Sequence, residues 1–192
     1  MLVVIVVLLL TRGGGLGGSK EPPIPTLKFV AKTKVVAQAK PPAAGAHQAE
    51  VDEITEMFND YYQEAFVDPG KWGDGTFEDL ADLFADDVKA SFKRDLPSMT
   101  IGEARTELKR VDLGNNFFGV TVYYDSKQKP TYAVTTVQFN ATGTLKKAGP
   151  KVTIKQTATY WLQKAGSGWK ITAYDTNETQ TTPTPSPTAS AT

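Results

Sequence analysis

The chain has 192 residues, 21 acidic and 21 basic side chains, 40% hydrophobic and 10% aromatic residues, and no cysteine. That is enough apolar material for one domain with a core and tails. It excludes a chain-wide disordered protein, a disulfide framework, a thiolate metal site, a cysteine nucleophile and a lipidated cysteine after the first apolar run.

Nine apolar residues, Leu2 to Leu10, follow the initiator and give way to Thr11-Arg12. At about 1.5 Å per residue, a helix over residues 1–10 covers roughly 15 Å, about half of a hydrocarbon core. Nothing basic precedes the run and no A-x-A cleavage pattern follows it, so it does not read as a secretory signal. The expectation is a signal-anchor segment shortened by a coding start placed too late; a buried strand or an h-region fragment is the alternative. Residues 11–47 read as a flexible Gly/Pro/Lys linker (RGGGLGG, EPPIP, KPPAAGA), within which Leu27 to Val36 alternates like a short strand. From Arg12 to His47 the chain carries six Lys/Arg against Glu21, leaving the remainder near −5. Basic residues beside an anchor favour the cytoplasmic side, whereas the Thr/Pro/Ser tract 180–192 (QTTPTPSPTASAT) resembles an extracellular stalk and is too polar to pack. The expectation is a single-pass cell-membrane protein with its domain, residues 48–179, extracytoplasmic and its tail disordered.

Periodic structure starts near Gln48. Val51, Ile54, Phe58, Tyr61, Tyr62 and Ala65 recur at intervals of three and four and predict a helix ending at Pro69-Gly70. Thr76 as N-cap, with Phe77, Leu80, Leu83 and Phe84 as its stripe, predicts a second, short helix. Ile101, Ala104, Leu108 and Val111, capped by Thr100, predict a third. From Phe117 the period becomes two, and strands are expected at 117–124, 132–144, 152–163 and 169–175, joined by short turns as an antiparallel meander. The fold class is therefore α+β: three N-terminal helices on a curved four-stranded antiparallel sheet.

This element order resembles the nuclear transport factor 2-like superfamily, which includes polyketide cyclase-like (SnoaL-like) and ketosteroid isomerase-like proteins. The resemblance covers roughly 48–179 and is carried by YYQEAF, DLADLFADDV and GWKITAYD; it looks most like membrane-anchored extracytoplasmic actinobacterial members. It implies a cone whose interior holds acids and bases in the enzymes. Tyr61 or Tyr62 stands where a first-helix tyrosine would, but no interior aspartate pair matches, so no catalytic residue carries over. Fold alone does not imply function.

Inside the expected cone, Gln156 interrupts Val152, Ile154, Ala158 and Tyr160, and Asp175 ends the series Trp169, Ile171, Ala173. A structural hydrogen bond accounts for Gln156. A small-molecule pocket of Tyr62, Gln156, Tyr160 and Asp175 is the sharper alternative. His47, the only histidine, falls in the linker and reads as solvated. Thirteen acids and only Lys71 lie between Glu50 and Asp87, against fourteen Lys/Arg and seven acids from Val88 to Thr179, which makes the domain electrically two-sided. The acids of 68–79 do not alternate as a twelve-residue calcium loop requires, and no metal or cofactor is expected. The lysines of the strands lack a recognition helix, so nucleic acid is not expected. Protein partners in the cell envelope, or further copies of the chain, are. The functional expectation is a non-catalytic, membrane-tethered accessory module of a transport or secretion assembly; the alternative is a small-molecule-binding cone or an isomerase- or dehydratase-type enzyme.

Overall fold

The computed structural model describes residues 22–166 and 168–181. The apolar run Leu2–Leu10, residues 11–21 of the expected linker and nearly all of the Thr/Pro tract lie outside them. Among the described residues no helix is long and apolar enough to cross a membrane.

The chain is α+β, with a mixed sheet of six strands rather than four antiparallel ones. Strand β1 (Ala31–Ala37) pairs in parallel with β3 (Phe117–Tyr124). From β3 the sheet continues as an antiparallel meander through β4 (Pro130–Leu145), β5 (Val152–Ala165) and β6 (Gly168–Thr181). Strand β2 (Leu108–Leu113) pairs with the far end of β4, beyond the stretch that β3 occupies. The sheet runs on to Thr181, so residues 180 and 181 belong to β6 rather than to a tail.

Helix α1 (Ala44–Tyr62) passes into a π-helical turn (Gln63–Val67), and its expected stripe is buried throughout. It starts before His47, which therefore lies in the first turn and not in a linker; its Nδ1 is 3.2 Å from the Tyr124 hydroxyl, and burial lowers its pKa. The second helix shrinks to one turn, α2 (Glu78–Ala81). Its N-cap is Phe77 in a left-handed conformation (φ 48°), while the Thr76 hydroxyl donates to Asp74 Oδ1 (2.8 Å) instead of capping. Two helices not expected follow, α3 (Asp86–Arg94) and α4 (Leu96–Met99).

The third expected helix is absent. Gly102–Thr106 forms a 3₁₀ turn, and Leu108 to Val111 belongs to β2. The reason is a bulge: pairing steps from Leu108↔Leu145 to Arg110↔Thr144, so Lys109 is an extra residue. A bulge turns the strand by one position, which puts Leu108 and Val111, three apart, on the same buried face. That spacing is indistinguishable from a helical one in sequence.

The stretch expected as linker is built into the domain over much of its described part. Leu27 and Phe29 are buried. Their N–H groups donate to Gln63 Oε1 (2.8 Å) and Asn59 Oδ1 (2.7 Å) of the first helical unit, and Gln63 Nε2 donates back to Pro25 O (3.2 Å). The Phe29 ring stacks on Phe118 with centroids 4.9 Å apart. Two buried side chains and three side-chain-to-backbone bonds make this strap part of the core. Phe29→Ala is expected to lower unfolding stability in a urea titration by about 3–4 kcal/mol; a loss under about 1 kcal/mol would show that the strap is dispensable.

Candidate functional site

The inner face of β5 presents Val152, Ile154, Gln156, Ala158, Tyr160 and Leu162, all buried. Tyr62, at the last turn of α1, reaches across to it. Its hydroxyl donates to Gln156 Oε1 (2.5 Å) and lies 3.2 Å from the Tyr160 hydroxyl. Gln156 Nε2 donates to Ser98 O in α4 (2.8 Å). Next to them, Tyr61 donates to Met99 O (2.5 Å). The structure thus brings together three of the four expected site residues.

The three are closed to solvent: Tyr62 and Tyr160 have 0% exposure and Gln156 has 1%. Phe29, Phe58, Phe66 and Phe139 pack around the Tyr62 ring. Burial pushes the hydroxyl of Tyr62 well above its ordinary range and that of Tyr160 up to about 12. Neither ionises near neutrality. Both faces of the Gln156 amide are occupied, so the cluster fastens α1 and α4 to the sheet.

Asp175 is the correction. It is exposed, on the outer face of the sheet, pairing with Thr159. Pairing steps from Trp161↔Ala173 to Leu162↔Ile171, leaving Thr172 as a bulge. One inserted residue exchanges the faces of everything after it. Trp169 and Ile171 point inward, and after the bulge the inward set becomes Tyr174, Thr176 and Glu178. Asp175 instead lines an outer groove of about 420 Å³ with Phe117, Thr136, Gln138, Thr157 and Asn177.

The residue that sequence reasoning missed is Glu178. It lies directly across from Gln156 on the inward side, half-buried, accepting from Gln180 Nε2 (2.6 Å). Burial pushes its carboxyl up to about 7. The expected strand ends at Asp175, because the all-polar DTNETQ offers no apolar alternation to extend it, and the face of Glu178 depends on the bulge, for which no local signal exists.

The acids of the helical layer are partly paired within the domain. Glu50 and Glu53 hold Lys164 of β5 at 2.8 and 2.6 Å, and Glu50 also accepts from Trp169 Nε1. Lys89 bridges Asp82 and Asp86, and Lys93 meets Glu78. In the loop after the π turn, Asp68 accepts from Gly70 N and Asp74 from Thr76 N, closing their own turns.

No family model matches this chain, and no curated protein matches it. Among solved structures, the crystal structure described as "Putative Scytalone Dehydratase" from Novosphingobium aromaticivorans is similar to it, with a TM-score of 0.49 and 18% identity over 73% of this chain and 91% of that one. That level of likeness assigns neither family nor chemistry, and the α+β description rests on the pairing and packing given above.

Two predictions follow from the buried cluster. Tyr62→Phe leaves Gln156 Oε1 without its donor and is expected to cost about 1–3 kcal/mol in chemical denaturation with the circular dichroism unchanged; a neutral result would mean that the bond contributes nothing net. Glu178 holds a proton when folded over roughly pH 4.5 to 7 that the unfolded chain has released, so stability falls as pH rises through that window and the full penalty persists above it. Glu178→Gln is expected to be the more stable by on the order of 1 kcal/mol at about pH 8 and equal to the parent at about pH 4, after discounting for partial exposure. A parallel pair of stability–pH curves would overturn it.

Proposed function

We propose that the chain is a non-catalytic, extracytoplasmic binding module tethered to the cell membrane through Leu2–Leu10, acting as an accessory part of an envelope assembly and built on the nuclear transport factor 2-like plan that its sequence resembles. One observation carries this reading. Tyr62, Tyr160 and Gln156 at the centre of the fold are bonded to one another and to Ser98 O with at most 1% exposure, while among the described residues no element covers the sheet face opposite the helices. That outer face sets half-buried Tyr123, Tyr132 and Trp161 beside the hydroxyls and amides of the Asp175 groove. Aromatic rings beside adaptable polar groups are the composition of protein-docking patches. The eleven residues between Leu10 and the strap, five of them glycine, are short enough to keep the domain close to a membrane surface.

A second reading has its own observation. Glu178, raised toward neutrality beside Tyr62 and Gln156, is the kind of group that isomerases and dehydratases use as acid or base. It requires the cone to open, because the tyrosines and Gln156 have no exposed surface in this conformation.

The two are separated by photo-crosslinking in intact cells from Thr157, on the outer face, and from Asp52, on the helical face, with Gln156→Leu and Glu178→Gln as counter-variants. The module reading expects Thr157 to capture one recurrent envelope protein, Trp161→Ala to reduce that capture several-fold with the melting temperature unchanged, and both counter-variants to leave it intact. Absence of capture from either face, with a small molecule binding the parent and lost in Glu178→Gln, would favour the second reading.

A further inference from the structure

Over residues 27–30 of the strap, odd and even positions alternate between buried and exposed, while in β1 Thr33 is exposed along with its lysine neighbours. Leu27 and Phe29 are buried, while Lys28, Val30, Lys32 and Lys34 are exposed. Extended backbone sends alternate side chains to opposite sides, so these four share one side; Lys32 and Lys34 pair with Gly119 and Thr121, and Lys32 Nζ lies 5.2 Å over the Phe117 ring, which places the stripe at the β1 margin of the outer sheet face. Val30 is 87% exposed, and Ile24, earlier in the same strap, is 46% exposed; they are the exposed large hydrophobic residues of the described chain. Residues 22–40 contain no acid. The nearby Asp112 is held by Arg110 at 2.6 Å, and that guanidinium also takes the carbonyls of Pro22 and Pro23 (2.7 and 2.9 Å). The strap is thereby fixed at both ends, by Arg110 at its start and by Asn59 at Phe29.

Lysines on an edge strand deter pairing with other chains, which accounts for the lysines by themselves. It does not account for two exposed aliphatic residues in the same short segment. Basic residues interleaved with apolar ones are complementary to a bilayer surface, where ammonium groups meet anionic headgroups and aliphatic side chains enter the acyl boundary. The chain's own length points to that occupant. Eleven residues, Thr11 to Glu21, five of them glycine, separate Leu10 from the strap. They reach no more than about 40 Å when fully extended and about 20 Å on average as a Gly-rich coil.

We propose that the stripe Lys28, Val30, Lys32 and Lys34, with Ile24, is a lipid-docking surface that seats the β1 margin of the domain against a bilayer bearing anionic headgroups. The inference rests on the reading of Leu2–Leu10 as a membrane segment. Seating at this margin holds the strap at the lipid, brings the bilayer beside the Phe117 end of the outer groove and leaves the helical face free.

The chain lacks cysteine, so single labels are clean. Val30→Cys and, separately, Leu8→Cys are labelled with bimane in the full chain, which is reconstituted into phosphatidylcholine vesicles carrying nitroxide lipid, with or without phosphatidylglycerol. Quenching at both positions is expected, with that at position 30 present only with phosphatidylglycerol and reduced several-fold by high salt or by Lys28→Gln/Lys32→Gln/Lys34→Gln, the label at position 8 being unaffected. Quenching at position 8 without quenching at position 30 overturns the docking surface and leaves the anchor standing. Quenching at neither overturns both. Quenching at position 30 that ignores salt and the glutamine variants overturns the electrostatic recognition proposed.

Discussion

The hydrogen bond from Tyr62 to Gln156 joins the two layers of this molecule at their most buried point. Tyr62 ends the long helix, Gln156 sits at the middle of the central meander strand, and the other end of the same amide is held by Ser98 O. A buried amide with one partner removed loses far more than a typical exposed hydrogen bond contributes. The helix can thus take only the placement that satisfies both ends. The aromatic rings around it, from Phe29 in the strap to Phe139 in β4, add apolar burial worth roughly 1.5–3 kcal/mol per fully buried side chain. Non-directional burial would tolerate sliding of the helix over the sheet; the amide does not.

Two inserted residues decide which side chains reach that interior. The bulge at Lys109 turns a sequence with helical spacing into a strand with both apolar residues inward. The bulge at Thr172 exchanges Asp175 for Glu178 on the inward face. The second has the larger chemical effect: it moves one carboxylate into solvent beside threonine hydroxyls and another into a setting where desolvation holds its proton up to about pH 7. An acid in the core and an acid in the groove differ here by one step of register.

Charge is distributed accordingly. Part of the acidic run of the helices is neutralised within the domain, most firmly where Lys164, with a side chain only 19% exposed, lies between Glu50 and Glu53. That pair of contacts ties β5 to α1 near the first turns, at the opposite end of the helix from Tyr62. Lysines without an acidic partner among the described residues include those of β1, but also Lys146, Lys147, Lys151 and Lys155 around the β4–β5 connection. The acidic helical layer is thus only partly neutralised within the domain, by Lys89, Lys93 and Lys164.

What the sequence by itself determined is what depends on near neighbours. The stripe Val51, Ile54, Phe58, Tyr61, Tyr62 and Ala65, the limits of β3 and the inward set of β5 follow from periods of 3.6 and 2, because a regular backbone repeats its facing direction locally. Tyr62, Gln156 and Tyr160 were legible as companions for the same reason, each lying in unbroken periodicity. Tertiary structure alone decided the rest. The strap before α1 shows the alternation of a strand in sequence, but its place in the core depends on Asn59 and Gln63 as hydrogen-bond partners and on Phe118 as stacking surface. The faces of Leu108, Asp175 and Glu178 are set by which residue of a neighbouring strand each one meets, and that pairing brings together positions far apart in the chain. Local periodicity carries no record of a partner strand, so the inverted faces lie at bulges and the strap at contacts between distant segments; α3, α4 and the Thr76–Asp74 turn are local features that periodicity also does not show.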